Sequence, residues 1–503
     1  MSQANQTANN RALKKKSIKI NTALNTLRMT LTILVPLLTY PYITRIFSSD
    51  GIGQYEWVKS VVSILTLIAS MGINTYAIRE GTKVRNDRKE FTQFAQELFV
   101  LNLIATAICY LLLFGLILTV PKFTLYRTYL LIYSVNIGLS ALSLDWVYSV
   151  YEDYLYITVR QIIVQCVSVA GLFLLVHNRN DLIIYIIITT VSNSGANIFN
   201  FVRARKYVDF VPVGHYRLML HLVPVIIFFG TRFAMNAYNS LDTFILGMLS
   251  TDDAVGYYNV AVKINTILVT FFMAMSPVYL PRMTDYLNKG NPGMYRSLLA
   301  KAIKLKTVLI YPIVCGLFMF APQVIWMIAG KAFDNAVGTL RILCFVLAFV
   351  LLSSIVQKDI MIPNGKEKTV LNLTLFAAIS NVLISCLLIV LIDYNGAAWG
   401  SLLAEGVTFL IGCVILKKDG YDLFRMIPQC SVKYFIATLL MGLSCLLSGI
   451  LLPSNWLIIC VGIPVAVVVY FGSIFLLRDE FFCENAVALT GKIKGRLSGG
   501  SKR

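Results

Sequence analysis

Long apolar runs broken by short polar stretches fill the chain from residue 21 to residue 477. A helix needs about 20 mainly apolar residues to cross a bilayer, because the hydrocarbon layer is about 30 Å thick and each residue adds about 1.5 Å. On that measure the pattern predicts fourteen spans: 21–47, 52–78, 92–120, 124–147, 155–177, 181–203, 218–249, 254–283, 303–329, 336–358, 369–392, 396–416, 432–452 and 455–477. The weakest break is the one after residue 329, where only Gly330 to Phe333 punctuate. The expected fold class is therefore an all-α polytopic membrane protein with about 14 transmembrane helices.

The pattern also repeats. Arg28, Leu37, Thr39 and Tyr40 match Arg232, Leu241, Thr243 and Phe244 at an offset of 204 residues, and Val58, Lys59, Thr66 and Met71 match Val262, Lys263, Thr270 and Met275 at the same offset. The turns between these helices correspond with small slips: Ser48, Asp50, Gly53 and Tyr55 resemble Ser250, Asp252, Gly256 and Tyr258. Six helices separate the copies. An even number preserves orientation, so the repeat predicts two six-helix lobes related by a pseudo-two-fold axis along the membrane normal, plus two C-terminal helices. The expected organisation is a basic cytoplasmic N-terminal segment (1–20), an N-lobe of helices 1–6 (21–203) and a cytoplasmic inter-lobe linker (204–217). A C-lobe of helices 7–12 (218–416), helices 13–14 (417–477) and a basic cytoplasmic tail (478–503) follow.

Polar residues inside the apolar runs fall on single helix faces. Lys59, Ser63, Thr66 and Ser70 share one face, and so do Arg28, Thr32 and Thr39; Arg232, Asn236, Asn239 and Thr243; and Lys263, Thr266 and Thr270. A cation at the centre of a lipid-facing helix costs about 2.5–3.5 kcal/mol. The four cations are thus expected to line an aqueous cavity between the lobes, with an inner arginine tier and an outer lysine tier. Arginine's planar fork suits phosphate, whereas Lys59 and Lys263 have the alternative of snorkelling to outer headgroups. Thr32, Ser63, Thr66, Asn236, Asn239 and Thr270 would complete the polar lining. Asp242 is expected to pair with Lys263 or Lys59. Glu405, mid-way along its segment, is a candidate for H+ or Na+ coupling or for a hydrogen bond to a neighbouring helix.

Composition sharpens this reading. Only 14% of the 503 residues are charged, against 57% hydrophobic, and mean hydropathy is +0.72. The net charge of +19 points to no nucleic acid: 34 of the 44 Lys and Arg lie in loops that an inside N-terminus makes cytoplasmic, so both termini are expected inside. The ten cysteines are solitary, and the three histidines lie apart near segment ends. Neither group has metal-ligand spacing, so no metal and no histidine-centred catalysis is expected. There is no GxxxxGK[ST] and no room for an extramembrane catalytic domain. The chain is expected not to be an enzyme.

Several stretches carry a family resemblance: PYITRIFSSDGIGQYEWVKSV (41–61), MGINTYAIRE (71–80), GYYNVAVKI (256–264), PNGKEK (363–368) and GAAWGSLLAE (396–405). They resemble the Wzx-type polysaccharide flippases of the multidrug/oligosaccharidyl-lipid/polysaccharide exporter superfamily. The resemblance implies alternating access that carries an undecaprenyl-pyrophosphate-linked oligosaccharide across the bacterial cytoplasmic (inner) membrane, for O-antigen, capsule or exopolysaccharide biosynthesis. It implies the lipid bilayer as partner, and a polysaccharide polymerase and chain-length machinery as further partners. Arg28, Arg232, Lys59 and Lys263 occupy the places expected for a cationic lumen. The alternative on the same fold is a cation-coupled multidrug exporter. Drug cations would favour an acidic cavity, and the intramembrane balance here is basic.

Overall fold

The computed structural model describes residues 34–273, 276–479 and 482, without the side chains of 231–232, 234–239 and 273–279. Arg28 and Thr32 lie outside the described residues, as do the side chains of Arg232, Asn236 and Asn239. The described residues form helices and no strand. Twelve of these helical segments are long and apolar enough to cross a membrane. Helix α11 (Leu218–Leu249) adds 32 residues, about 48 Å at 1.5 Å per residue. Helix α1 (34–46) is the described end of the first expected span. The polytopic all-α class expected from the apolar pattern is what the chain adopts.

The chain divides into two compact units, Met1–Gly256 and Tyr257–Arg503. In the first unit the second span is not one helix but two, α2 (Ser49–Ser70) and α3 (Ile73–Val84). Met71 and Gly72 separate them, both left-handed, with φ of 45° and 66°. Gly72 is needed here twice over. A side chain would be strained at that φ, and a Cβ would lie 2.8 Å from the Phe229 nitrogen. Next come α4 (Arg88–Thr119), α5 (Pro121–Leu125), α6 (Arg127–Ala141), α7 (Asp145–Val150), α8 (Tyr154–Leu175), α9 (Leu182–Thr190) and α10 (Ala196–Ala204). Asp87 caps α4, accepting from the Lys89 and Glu90 amides. A core of Phe91, Phe94, Leu98, Trp146, Val147 and Val150 ties α3, α4 and α7 together.

The two turns that correspond in the repeat meet each other in this unit. Ser49 donates to Asp253, its mate at offset 204. A Cβ on Gly53 would collide with the Asp252 carbonyl, and one on Gly256 with the Ser49 carbonyl. Only glycine admits so close a backbone crossing. Tyr126 donates to Asp252, and Lys122 reaches both the Gly247 carbonyl and, at 3.4 Å, the Asp252 carboxylate. Trp57, fully buried, lies directly over Gly247.

The second unit holds most of α12 (Asp252–Met273), then α13 (Ser276–Asn288), α14 (Pro292–Met319), α15 (Ala321–Ile328), α16 (Ala336–Ser354), α17 (Glu367–Ile392), α18 (Tyr394–Lys418), α19 (Leu423–Leu451), the short α20 (Asn455–Leu457) and α21 (Ile463–Leu476). A π-helical turn, Ile355–Met361, extends α16. Helix α17 is apolar outward and small or polar inward. Leu383, Leu387, Val390 and Leu391 are exposed, while Ala377, Asn381 and Ser385 are buried. In water that order would be costly. In lipid it is the stable one, because small residues let helices approach where apolar surface gains nothing by leaving the solvent. Gly400 of α18 accordingly sits against the Ser385 backbone and Gly396 against the Leu388 carbonyl.

Candidate functional site

Helix α2 presents the stripe read from its sequence. Ile52, Tyr55, Trp57, Val58, Val62, Leu65 and Ala69 are buried, whereas Lys59, Ser63, Thr66 and Ser70 are only half-buried and share a face. The 34% exposed Lys59 side chain pairs with Glu56 one turn earlier, Nζ to Oε2 2.8 Å, and lies 5.6 Å from the Tyr55 ring centre. An i,i+3 carboxylate is near enough to be the partner of Lys59. Glu56 is buried beside Tyr40, Tyr55, Tyr133 and Tyr185. Tyr55 packs on Tyr185 at 4.7 Å and on Tyr133 at 6.0 Å, and Asn193 donates to the Tyr133 hydroxyl at 3.0 Å. The first unit thus sets one lysine at the rim of a buried aromatic and carboxylate cluster. Beyond Lys59, Ser63 and Thr66 follow on the same half-buried face, with the Thr66 hydroxyl itself buried. Asp242 lies buried on α11 in the same unit.

In the second unit α12 carries the matching stripe. Lys263 is half-buried, and Thr266 and Thr270 are exposed, Thr270 donating to the Thr266 carbonyl at 2.7 Å. Glu405 is half-buried on α18 and forms no ion pair among the described residues. No group of three or more His, Cys, Asp or Glu among the described residues is placed to hold a metal ion.

Two further ion pairs escaped the sequence reading. Lys306 is the fifteenth residue of α14 and is buried. Its Nζ lies 2.6 Å from Asp359 Oδ2 and 3.0 Å from Ser354 Oγ. Arg160 is buried in α8 with Nη2 3.1 Å from Asp145 Oδ1, which accepts from Asn200 as well. Asp145 is therefore a paired charge.

A third cluster joins distant segments. The Tyr76 hydroxyl lies 2.8 Å from His221 Nδ1, and His221 Nε2 lies 2.7 Å from Glu97 Oε2. The only sequence signal was a polar residue in each apolar run; nothing in the spacing links them.

Comparison with known proteins places the chain. The family model described as "Polysaccharide biosynthesis protein" matches residues 18–287, and the MatE model matches residues 228–387. A putative O-antigen transporter of Shigella dysenteriae is 23% identical over 387 residues, covering 76% of this chain and 95% of that protein. A putative O-antigen transporter of Escherichia coli (strain K12) is 20% identical over 368 residues, covering 73% and 88%. The lipid II flippase MurJ, in an inward closed conformation, shares the fold with a TM-score of 0.67 at 12% identity, over 93% of this chain and 99% of that one. None of these proteins is named for a catalysed reaction. With over half of its residues inside a single family match, as the resemblance to the Wzx-type exporters implied, the chain belongs to the polysaccharide biosynthesis protein family.

Proposed function

We propose that this protein is a flippase that carries an undecaprenyl-pyrophosphate-linked oligosaccharide from the inner to the outer leaflet of a bacterial cytoplasmic membrane, with both termini inside. The observation that carries the reading is the half-exposed cation–hydroxyl stripe on α2 and again on α12, inside helices that are otherwise lipid-soluble. A pyrophosphate needs cations and donors to leave water; the polyprenyl tail needs none and stays in the hydrocarbon. Arg28, Arg232, Lys59 and Lys263 would take the pyrophosphate. Thr32, Ser63, Thr66, Asn236, Asn239 and Thr270 would meet hydroxyls along a path opened by alternating access. Negative charge moving outward is assisted by an inside-negative potential, roughly 2.3 kcal/mol per charge per 100 mV. Coupling to H+ or Na+ through Glu405, with Asp242 as a buried partner, is the alternative source of drive. The O-antigen transporters it resembles support the cargo class.

The test is genetic and chemical. A strain lacking the protein should lose surface polysaccharide and accumulate the lipid-linked repeat unit inside, and Arg28→Ala and Arg232→Ala should reproduce that loss while inserting normally. Normal polysaccharide in the deletion strain overturns the reading. The MatE match over residues 228–387 favours one second reading, a multidrug exporter. That reading requires the deletion to raise drug sensitivity and leave polysaccharide unchanged.

A further inference from the structure

The inner half of α11 packs on the protein along one flank and is bare on the other. Met219, Leu220, Val223, Ile226 and Ile227 are exposed on one flank. On the other flank the buried line of His221 and Val225, with the partly buried Leu218, Leu222 and Phe228, meets the protein. Along this seam Phe228 packs under Arg79 at 5.0 Å and its carbonyl abuts Gly72. Its polar element is the relay from Tyr76 on α3 through His221 on α11 to Glu97 on α4. All three residues are about 5% exposed or less. Glu97 is also saturated on its other oxygen, by Gln93 Nε2 at 3.1 Å and the Arg217 amide at 2.8 Å. Arg217 is the residue just before α11, so the carboxylate grips both the helix and its entry. No Lys or Arg side chain pairs with Glu97 among the described residues; Arg79 and Glu80 are the other charges beside the relay.

Such a network is stable complete and costly half-made, because every member is buried and each loss leaves a neighbour without its partner. It therefore favours two states, engaged or fully released and hydrated. An apolar seam of the same length would slide without a defined stop. We infer that the Tyr76–His221–Glu97 relay is the catch of an inner gate: engaged, it holds the inner half of α11 on α3 and α4, and it must open as a unit for cargo to enter from the inner side. The inference rests on the alternating-access part of the proposed function. Its readout is a distance in cargo-free protein, so it fails separately from any claim about cargo.

The experiment is pulsed electron spin resonance on the full chain in lipid nanodiscs, in a background without native cysteines. One spin-label pair, at Lys83 and Met219, spans the seam. A reference pair, at Gln54 and Leu249, spans the opposite end of the same unit. Wild-type protein should show a dominant short distance for the seam pair. Tyr76→Phe removes one hydrogen bond with little change of shape and should raise the ratio of long to short distances about fivefold. His221→Phe should raise it further, and neither should move the reference pair. An unchanged seam distance in Tyr76→Phe overturns the catch. So does equal broadening of both pairs, which would make the relay a general stabiliser of the fold. Should His221→Phe fail to insert, Tyr76→Phe alone decides.

Discussion

The Lys306–Asp359 pair offers a sharp test of the packing in the second unit. Its side chains are 8% and 1% exposed, with Nζ and Oδ2 2.6 Å apart, so neither water nor salt screens the interaction. The pair also closes a local network. Ser354 accepts from the same ammonium at 3.0 Å, and Tyr295 donates to the Asp359 carbonyl at 3.1 Å, stitching α14 to the π-helical turn. Lys306→Met leaves a buried carboxylate without its counter-ion. The expected loss is about 3–5 kcal/mol, the range for removing one member of a buried pair. Replacing both, as Lys306→Met with Asp359→Leu, removes both desolvation costs along with the attraction. The double variant should recover most of that loss, since such exchanges are often neutral. Reversible unfolding in mixed micelles, followed by the midpoint of each variant, measures all three. A single-variant loss under about 1 kcal/mol, the range of exposed pairs, would refute the buried geometry. So would additive losses in the double variant, since coupled partners must deviate from additivity.

Three further expectations are independent of that pair. Gly247→Ala puts a Cβ 1.8 Å from Trp57 Cδ1; the indole must shift, costing about 1–3 kcal/mol by overpacking and changing the Trp57 fluorescence maximum. Unchanged stability and emission would contradict the close approach. Glu405→Gln should abolish any dependence of transport on external pH if that residue carries the coupling, and leave the dependence intact if it does not. The Arg88 guanidinium, donating to Asp209 at 2.6 Å, holds the Asp209 carboxyl below its ordinary value. Its stabilisation is therefore present at neutral pH and lost as pH falls through the lowered folded value. Both side chains are over half exposed, so Asp209→Asn should shift the unfolding midpoint at neutral pH by no more than a degree or two. A larger shift would place the pair in a dry environment.

Much of this fold is legible from hydropathy because the bilayer forces every buried backbone group into a helix. Gly53 and Gly256 stand where two backbones cross, and Ser49 touches Asp253, 204 residues on, so each turn needs a small residue there. The stripe on α2 followed from a spacing that only a helix face explains. Helix ends did not follow: α14 begins at Pro292, eleven residues before its apolar run. The break at Met71–Gly72 was hidden inside a continuous apolar run, because a left-handed pair changes direction without changing hydropathy. Partners such as Tyr76 and His221, 145 residues apart, carry no local signal at all.

Reconstitution tests the proposed flippase most directly. Purified protein in liposomes carrying a fluorescent undecaprenyl-pyrophosphate-linked oligosaccharide should make inner-leaflet label accessible to a membrane-impermeant quencher. A membrane potential negative on the leaflet of departure should speed that change, and Arg28→Ala with Arg232→Ala should stop it. Wild-type vesicles indistinguishable from protein-free ones, or arginine variants as fast as wild type, would contradict it.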